Sequence, residues 1–388
     1  MKVALVIFNF SESRGGVERY VYDLSRCLVR DNHEVHIFCH NANISGADEV
    51  AKLKFHTVSV SVAGIYTPFK VLSFAANAAQ MVKQERFDII QGFGRTYYQD
   101  IYRVGGGCHW EYLKHTHPSM SNPLGRLIQR YNPRNWAIMK LENESFAPGA
   151  YKKIICISKQ VKAEIQQYYN VPDKDVVIIY NGIDTNRFNP ANRVTYRDTL
   201  RSRYGLSPDD VTVLYVGSGF ERKGLRYAID AISKISGNTP PKLLVVGRGT
   251  IGKHTRLARK LDIANRVIFA GPQSGIEQFY AAADVFLFPT LYEPFGTVCL
   301  EAMSTGLPVI TSQRAGASEI MSNGIDAFIV DDPTNSVAMA EKLTLLMDPV
   351  WRQNMGKAAQ LTAGKYSFEL NYQQVLNIYE EVSAIRNK

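Results

Sequence analysis

The residues best suited to chemistry lie in one stretch, Tyr292-Glu293-Pro294-Phe295-Gly296-Thr297-Val298-Cys299-Leu300-Glu301. An apolar run at 284–288 precedes it and a segment with helical spacing at 300–305 follows, so the stretch reads as a strand-to-helix turn. Pro294 and Gly296 break the strand. The amides of Phe295, Gly296, Thr297 and Val298 then open a helix without intrahelical partners, and with the helix dipole they offer a place for an anion such as phosphate. Glu293 sits in the turn and Glu301 within the second helical turn. Carboxylates there repel phosphate but accept hydrogen bonds from sugar hydroxyls.

A second constellation is Gly217-Ser218-Gly219-Phe220-Glu221-Arg222-Lys223-Gly224, which ends one strand and opens the next helix. Its backbone is permissive at a helix start, and Arg222 and Lys223 bring two cations to the same crevice, so diphosphate is the natural ligand. It is not the dinucleotide fingerprint, because four residues separate Gly219 from Gly224 and no acidic residue follows about twenty positions on. Residues 247–253 approach the P-loop pattern, but His254 stands where Ser or Thr would hold magnesium, which argues against a nucleoside triphosphatase. Arg248 is expected to point into the crevice instead. Earlier in the chain, Gly15-Gly16 starts a helix after the first strand and admits a ligand close to the backbone. Gly105-Gly106-Gly107-Cys108-His109 follows another strand, which places His109 where open α/β sheets face their ligands. A hydrogen-bonded structural histidine is the equal alternative from the residues alone.

The elements that must hold these groups alternate strand and helix. Strands are expected at 2–8, 34–39, 55–60, 88–91, 101–104, 152–157 and 176–179, then at 211–216, 242–246, 267–269 and 284–288, with helices at 337–347, 350–362 and 371–385 closing the chain. Such alternation implies α/β architecture with parallel sheets. At 388 residues the chain exceeds the size of a single core, and a turn-and-linker segment near 181–208 divides it. The expected domains are Rossmann-like ones over 1–190 and 191–368, with a C-terminal helix over 369–388 packing back on the first.

Composition is that of an ordinary globular protein, with 45% hydrophobic and 21% charged residues. The start reads as a first strand rather than a secretory leader, and no run approaches a membrane span. Five scattered cysteines suggest neither a disulfide framework nor a metal knuckle, and a cytoplasmic setting fits. Net charge is +9, with 23 Lys and Arg against 17 Asp and Glu in residues 1–188. An excess of that kind favours an anionic partner: nucleic acid, a membrane surface or a phosphorylated substrate. Residues 95–140 mix cations with Trp110, Tyr112, Leu127, Ile128, Trp136 and Ile138, the composition of a membrane-interfacial surface. No nucleic-acid-binding module accompanies it, so nucleic acid is not expected as a partner.

These motifs together resemble the retaining glycosyltransferases of family 4, which have the GT-B fold of two Rossmann-like domains facing a central cleft. The resemblance covers nearly the whole chain. It rests on Gly15-Gly16-Val17-Glu18-Arg19, Asn181-Gly182-Ile183-Asp184, Arg222-Lys223-Gly224, Val246-Gly247-x-Gly249 and, above all, Glu293 through Glu301. Within the family, the loop Gly217–Gly224 is similar to that of the lipopolysaccharide-core glucosyltransferases acting on heptose.

The resemblance implies that Arg222 and Lys223 hold the diphosphate of a nucleotide-sugar, that Glu301 takes the ribose, and that Glu293 with the amides of 295–298 binds the donor sugar and phosphate. It places Gly16 beneath the diphosphate, gives Phe269 and Arg248 the base, and sets His109 against the donor sugar. It further implies a UDP-sugar donor, a glycolipid or saccharide acceptor at an anionic membrane face, and retention of configuration without a metal or other cofactor. A sugar-nucleotide epimerase, a phosphorylase, or a transferase using a GDP-sugar or UDP-N-acetylglucosamine would share the same fold.

Overall fold

The computed structural model describes residues 1–12, 15–44, 52–60 and 67–386, and the chain divides into two compact units. One comprises Met1–Tyr180 with Asn371–Lys388, the other Asn181–Leu370. The chain therefore passes between them at 180/181 and 370/371, against the expected 190/191 and 368/369. The physical reason is that residues 181–190 bond within the second unit, Arg187 pairing with Glu277 at 2.9 Å and the Phe188 carbonyl accepting from Ser304 at 2.5 Å, as does the rest of the segment expected to be linker. It carries the helix Asn192–Arg203, whose Arg193, Arg197 and Arg201 reach the buried Asp284 at 3.3, 2.8 and 3.2 Å. Their four-residue spacing puts all three on one helix face. A buried carboxylate left without such partners costs several kcal/mol, so the helix is fixed to the second unit.

The strands of the first unit are β1 (Lys2–Val6), β2 (Asn9–Ser11), β3 (Glu34–Cys39), β4 (Asn41–Asn43), β5 (Lys54–Thr57), β6 (Ile89–Gly92), β7 (Ile101–Val104), β8 (Lys153–Cys156) and β9 (Val176–Ile178). Among the described residues, seven of them form one parallel sheet in the order β5-β3-β1-β6-β7-β8-β9, and β2 pairs separately with β4. The second unit contributes β10 (Thr212–Val216), β11 (Lys242–Val246), β12 (Val267–Gly271), β13 (Val285–Phe288), β14 (Val309–Ser312) and β15 (Ala327–Val330), all parallel, in the order β12-β11-β10-β13-β14-β15. Both sheets start in the middle, run outward to one edge and resume on the other side of the first strand. The order reverses between β1 and β6 in one unit and between β10 and β13 in the other. Ligand crevices of open parallel sheets lie beyond the carboxyl ends of the strands at such reversals.

Every residue of β10 and of β13 is buried, as a parallel strand covered on both faces requires. Val213, Tyr215, Val245, Val285 and Leu287 pack with Leu225, Ile229 and Ile232 of the helix Leu225–Ser233 into one core. Strands β2, β4, β14 and β15 were not expected from the sequence.

The last helix, Phe368–Arg386, builds into the first unit from Asn371 onward. Tyr372, Val375, Tyr379 and Val382 form its buried face. Tyr20 donates to Asn371 Oδ1 at 3.0 Å, Tyr372 donates to the Cys27 carbonyl at 3.3 Å, and Tyr379 donates to Gln91 of β6.

Candidate active site

In the second unit, the loops after β10 and β13 flank the reversal of strand order and meet there. The Leu291 amide donates to the Arg222 carbonyl at 2.8 Å. Gly224 has φ +73°, and a Cβ there would lie 1.9 Å from the Pro289 carbonyl oxygen, so the close approach of the two loops requires glycine. Arg222 then reaches across, donating from Nη1 to the Tyr292 carbonyl at 2.6 Å and to Glu293 Oε2 at 2.8 Å. Lys223 Nζ lies 3.4 Å from the same oxygen and 5.2 Å from the centre of the Phe288 ring. Burial pushes the Glu293 carboxyl up, and Lys223 and Arg222 outweigh it, holding the group below its ordinary value. Glu293 is therefore ionised at neutral pH. The trio carries one net positive charge at the mouth of the crevice.

The helix Thr297–Ser304 begins immediately after this trio, with Gly296 at φ +94° as its cap residue and no side chain capping its first amides. An uncapped helix start beside two cations has the make-up of an anion site. Asn181 donates to the Thr297 hydroxyl at 2.9 Å and holds the turn. One turn further, Glu301 Oε2 accepts from the Tyr280 hydroxyl at 2.6 Å, which fixes the orientation of that carboxylate.

In the first unit, the helix Gly16–Arg30 starts after β1 and β2 with Gly15 as its cap residue and again no capping side chain. After β7, the helix His109–Thr116 begins at the imidazole itself. The amides of its cap residue and first residue are taken by carboxylates from elsewhere: Cys108 N–H donates to the buried Glu164 at 3.2 Å, and His109 N–H to the half-buried Glu142 at 3.0 Å. Burial pushes the Glu142 carboxyl up to about 7, with the Tyr169 hydroxyl and the His109 amide opposing that shift.

The His109 ring is oriented as firmly. Asn135 donates from Nδ2 to Gln129, to its carbonyl at 3.0 Å and its side-chain oxygen at 2.9 Å, so Asn135 Oδ1 faces His109 Nε2 at 3.0 Å as an acceptor. Nε2 must then carry the proton, which leaves Nδ1 as an acceptor. Burial holds His109 below the ordinary imidazole value, against Asn135 and with help from Arg134 and Arg95, so the ring is neutral at pH 7.

Two family profiles match the chain: "Glycosyltransferase Family 4" over residues 14–187 and "Glycosyl transferases group 1" over residues 196–362. The lipopolysaccharide 1,2-N-acetylglucosaminetransferase of Salmonella typhimurium is 30% identical over 65% of this chain and 68% of its own length. The chain belongs to the glycosyltransferases. The lipopolysaccharide glucosyltransferase WaaG of Escherichia coli is 25% identical over 91% of the chain and 93% of its own length. A crystal structure of WaaG matches with a TM-score of 0.83 at 22% identity, covering 97% of this chain and 99% of that one. A structure of Anabaena HepE in complex with UDP-glucose matches with a TM-score of 0.75 at 19% identity, over 98% and 100% of the two chains. The fold of this glycosyltransferase is thus GT-B.

Within the glycosyltransferase, the structure brings Arg222, Lys223, Glu293, Gly296, Thr297 and Val298 to one place and puts Glu301 one helical turn away. Gly217 and Ser218 line the neighbouring loop, where the Arg248 amide donates to the Ser218 hydroxyl at 3.3 Å. The Arg248 side chain is exposed. Phe295 is buried, and Phe269 is partly buried with one side packed against the core. His254 is a core residue, its Nδ1 donating to the Thr250 carbonyl at 2.9 Å and its ring edge-on to Phe220, which explains why the near P-loop carries histidine there. Sequence reasoning missed Tyr280, Glu142, Glu164, Asn135 and Gln129. Each acts on a motif from a distant segment, and nothing in its local spacing marks it.

Proposed function

We propose that this glycosyltransferase moves a hexose, glucose foremost, from a UDP-sugar to a saccharide acceptor of the lipopolysaccharide-core or other glycolipid type, with retention of configuration and without a metal. The observation that carries the reading is the Arg222–Lys223–Glu293 trio at the uncapped start of the helix Thr297–Ser304. Loss of a nucleoside diphosphate develops negative charge on the leaving oxygen, and two cations with fixed amide dipoles stabilise that charge most in the transition state. The C1–phosphate bond breaks as the C1–acceptor bond forms on the same face, and the acceptor proton passes to the leaving phosphate. Glu293 keeps both cations aligned and takes sugar hydroxyls; Glu301, held by Tyr280, takes the ribose. Glucose as the donor sugar is supported by the names of WaaG and of the HepE complex. The name of the Salmonella relative favours UDP-N-acetylglucosamine as the second reading.

A membrane-facing role for the first unit is part of the same proposal. In the helix Pro123–Tyr131 the buried residue is Gly125, while Leu124, Leu127, Ile128 and Tyr131 form a stripe at 68, 52, 60 and 70% exposure. The apolar face of this helix is turned to solvent, with Arg126 and Arg130 beside it. Such a face has the make-up of an interfacial helix for anionic lipid. No helix among the described residues is long and apolar enough to cross a membrane.

The test combines a donor panel with charge reversal. UDP-glucose is expected to raise the melting temperature more than UDP-galactose, UDP-N-acetylglucosamine or GDP-sugars, by mass action. The double variant Arg222→Glu, Lys223→Glu is expected to lose both that shift and turnover. Retained turnover in this variant would overturn the reading.

A further inference from the structure

At the sheet edge of the first unit, three side chains from three separate segments converge. His36 comes from β3, His56 from the edge strand β5, and Glu85 from the turn after the helix Thr67–Val82. Their ligand atoms, two imidazole nitrogens and one carboxylate oxygen, all lie within 4.8 Å of one another. His36 Nδ1 is 2.9 Å from His56 Nε2 and 3.6 Å from Glu85 Oε2. Ligands on a tetrahedral zinc ion, with bonds of about 2.0–2.1 Å, stand about 3.3 Å apart. The two measured separations bracket that value.

We infer that His36, His56 and Glu85 form a binding site for a zinc-class divalent transition ion, with an open fourth position for water. The ligand set of two imidazoles and one carboxylate suits zinc and excludes the hard, oxygen-seeking cations. The surroundings are those of a ligating histidine. His36 is buried, and its other ring nitrogen donates to Glu34 at 3.0 Å, which leaves Nδ1 with its lone pair toward the site. His56 stacks on the Phe38 ring with centroids 4.3 Å apart, and its plane lies within 11° of that of His36, so the two imidazoles meet edge to edge. Glu85 divides its oxygens, Oε1 taking the Lys2 ammonium and Oε2 turning to the histidines.

Lys2 and Lys54 are the nearby cations, paired with Glu85 and Glu34 respectively. Asp88 adds a third carboxylate, accepting from the Lys2 amide at 2.7 Å. The local balance before any ion binds is therefore three carboxylates against two ammonium groups. Without a metal, the 2.9 Å contact between the rings is a hydrogen bond from His56 Nε2 to His36 Nδ1. With one, His56 takes its other tautomer and the ion replaces the shared proton. The site ties an edge strand to its neighbour and to the turn beyond the helix, so the ion serves as a structural clamp and not as part of the transfer reaction.

The experiment uses untagged full-length protein stripped with a chelator. Titration with zinc alone is expected to show one site with a Kd in the micromolar range or below. Cobalt is expected to give the intense visible bands of a four-coordinate centre, and zinc at about one hundred times Kd to raise Tm by roughly 5–10 °C. His36 is buried and its replacement risks misfolding, so the variants are His56→Gln and Glu85→Gln, each expected to weaken zinc at least about tenfold. Absence of saturable binding by the parent protein, or parental affinity in His56→Gln, would overturn the inference.

Discussion

The two units carry the same sheet scheme but build their functional groups differently. In the second unit, Arg222, Lys223 and Glu293 come from two loops either side of one strand reversal and touch each other directly. In the first, His109 is positioned by Glu142, Glu164, Asn135 and Gln129 from three other segments, none of which resembles a motif. The contrast separates a site that speaks through charge from one that speaks through orientation. The trio carries a net positive charge, whereas His109 offers a neutral ring whose value lies in which nitrogen bears the proton.

The comparison can be broken most sharply at Glu293. If its charge aligns both cations, Glu293→Gln should reduce kcat by about 10²–10³-fold while the fold is kept, as removal of one preorganised polar group at a developing charge does. A smaller change in kcat than in KM would mean that the carboxylate only binds donor.

The next largest effect is expected at Glu142, as a pH dependence of stability. Its folded pKa of about 7 lies above its unfolded value near 4.5, so the folded state holds the proton longer. Stability from this group is full below about pH 4.5 and is lost as pH rises through about 7. Glu142→Gln, which can keep the His109 amide on its carbonyl oxygen, should flatten that slope and be more stable than the parent at pH 8.5, by on the order of 2–3 kcal/mol. Parallel urea midpoints for the two proteins from pH 5 to 8.5 would refute it.

The smallest effect concerns the outward stripe of the helix Pro123–Tyr131. Leu127→Ser with Ile128→Ser should lower affinity for vesicles containing anionic lipid by roughly tenfold, from the apolar area withdrawn. Turnover on a water-soluble acceptor should stay within about twofold. Vesicle affinity equal to the parent's would remove this surface from the membrane proposal.

What could be read in advance follows the same divide. Residues 292–301 hold a strand end, a breaker, a helix start and two carboxylates in sequence, so local rules alone reach their geometry. The strand before them, β13, is wholly apolar and buried, and it is legible for that reason, whereas β14 after them is not. The helix Asn192–Arg203 was not, because its purpose appears only when Asp284, some ninety residues away, is seen to need three guanidiniums. Tyr280 is equally silent in sequence: it sits in an apolar helix and gains its meaning from Glu301. The cluster of His36, His56 and Glu85 has no ligand spacing at all, since two parallel strands and a turn further along the chain assemble it.

The closing helix has a consequence for the order of synthesis. Tyr20, Cys27 and Gln91 are made before the second unit, yet their partners Asn371, Tyr372 and Tyr379 leave the ribosome only after the whole of it. The half that is translated first is therefore the half that is completed last, and the later-made unit is free to finish folding while the earlier one still waits for its final wall.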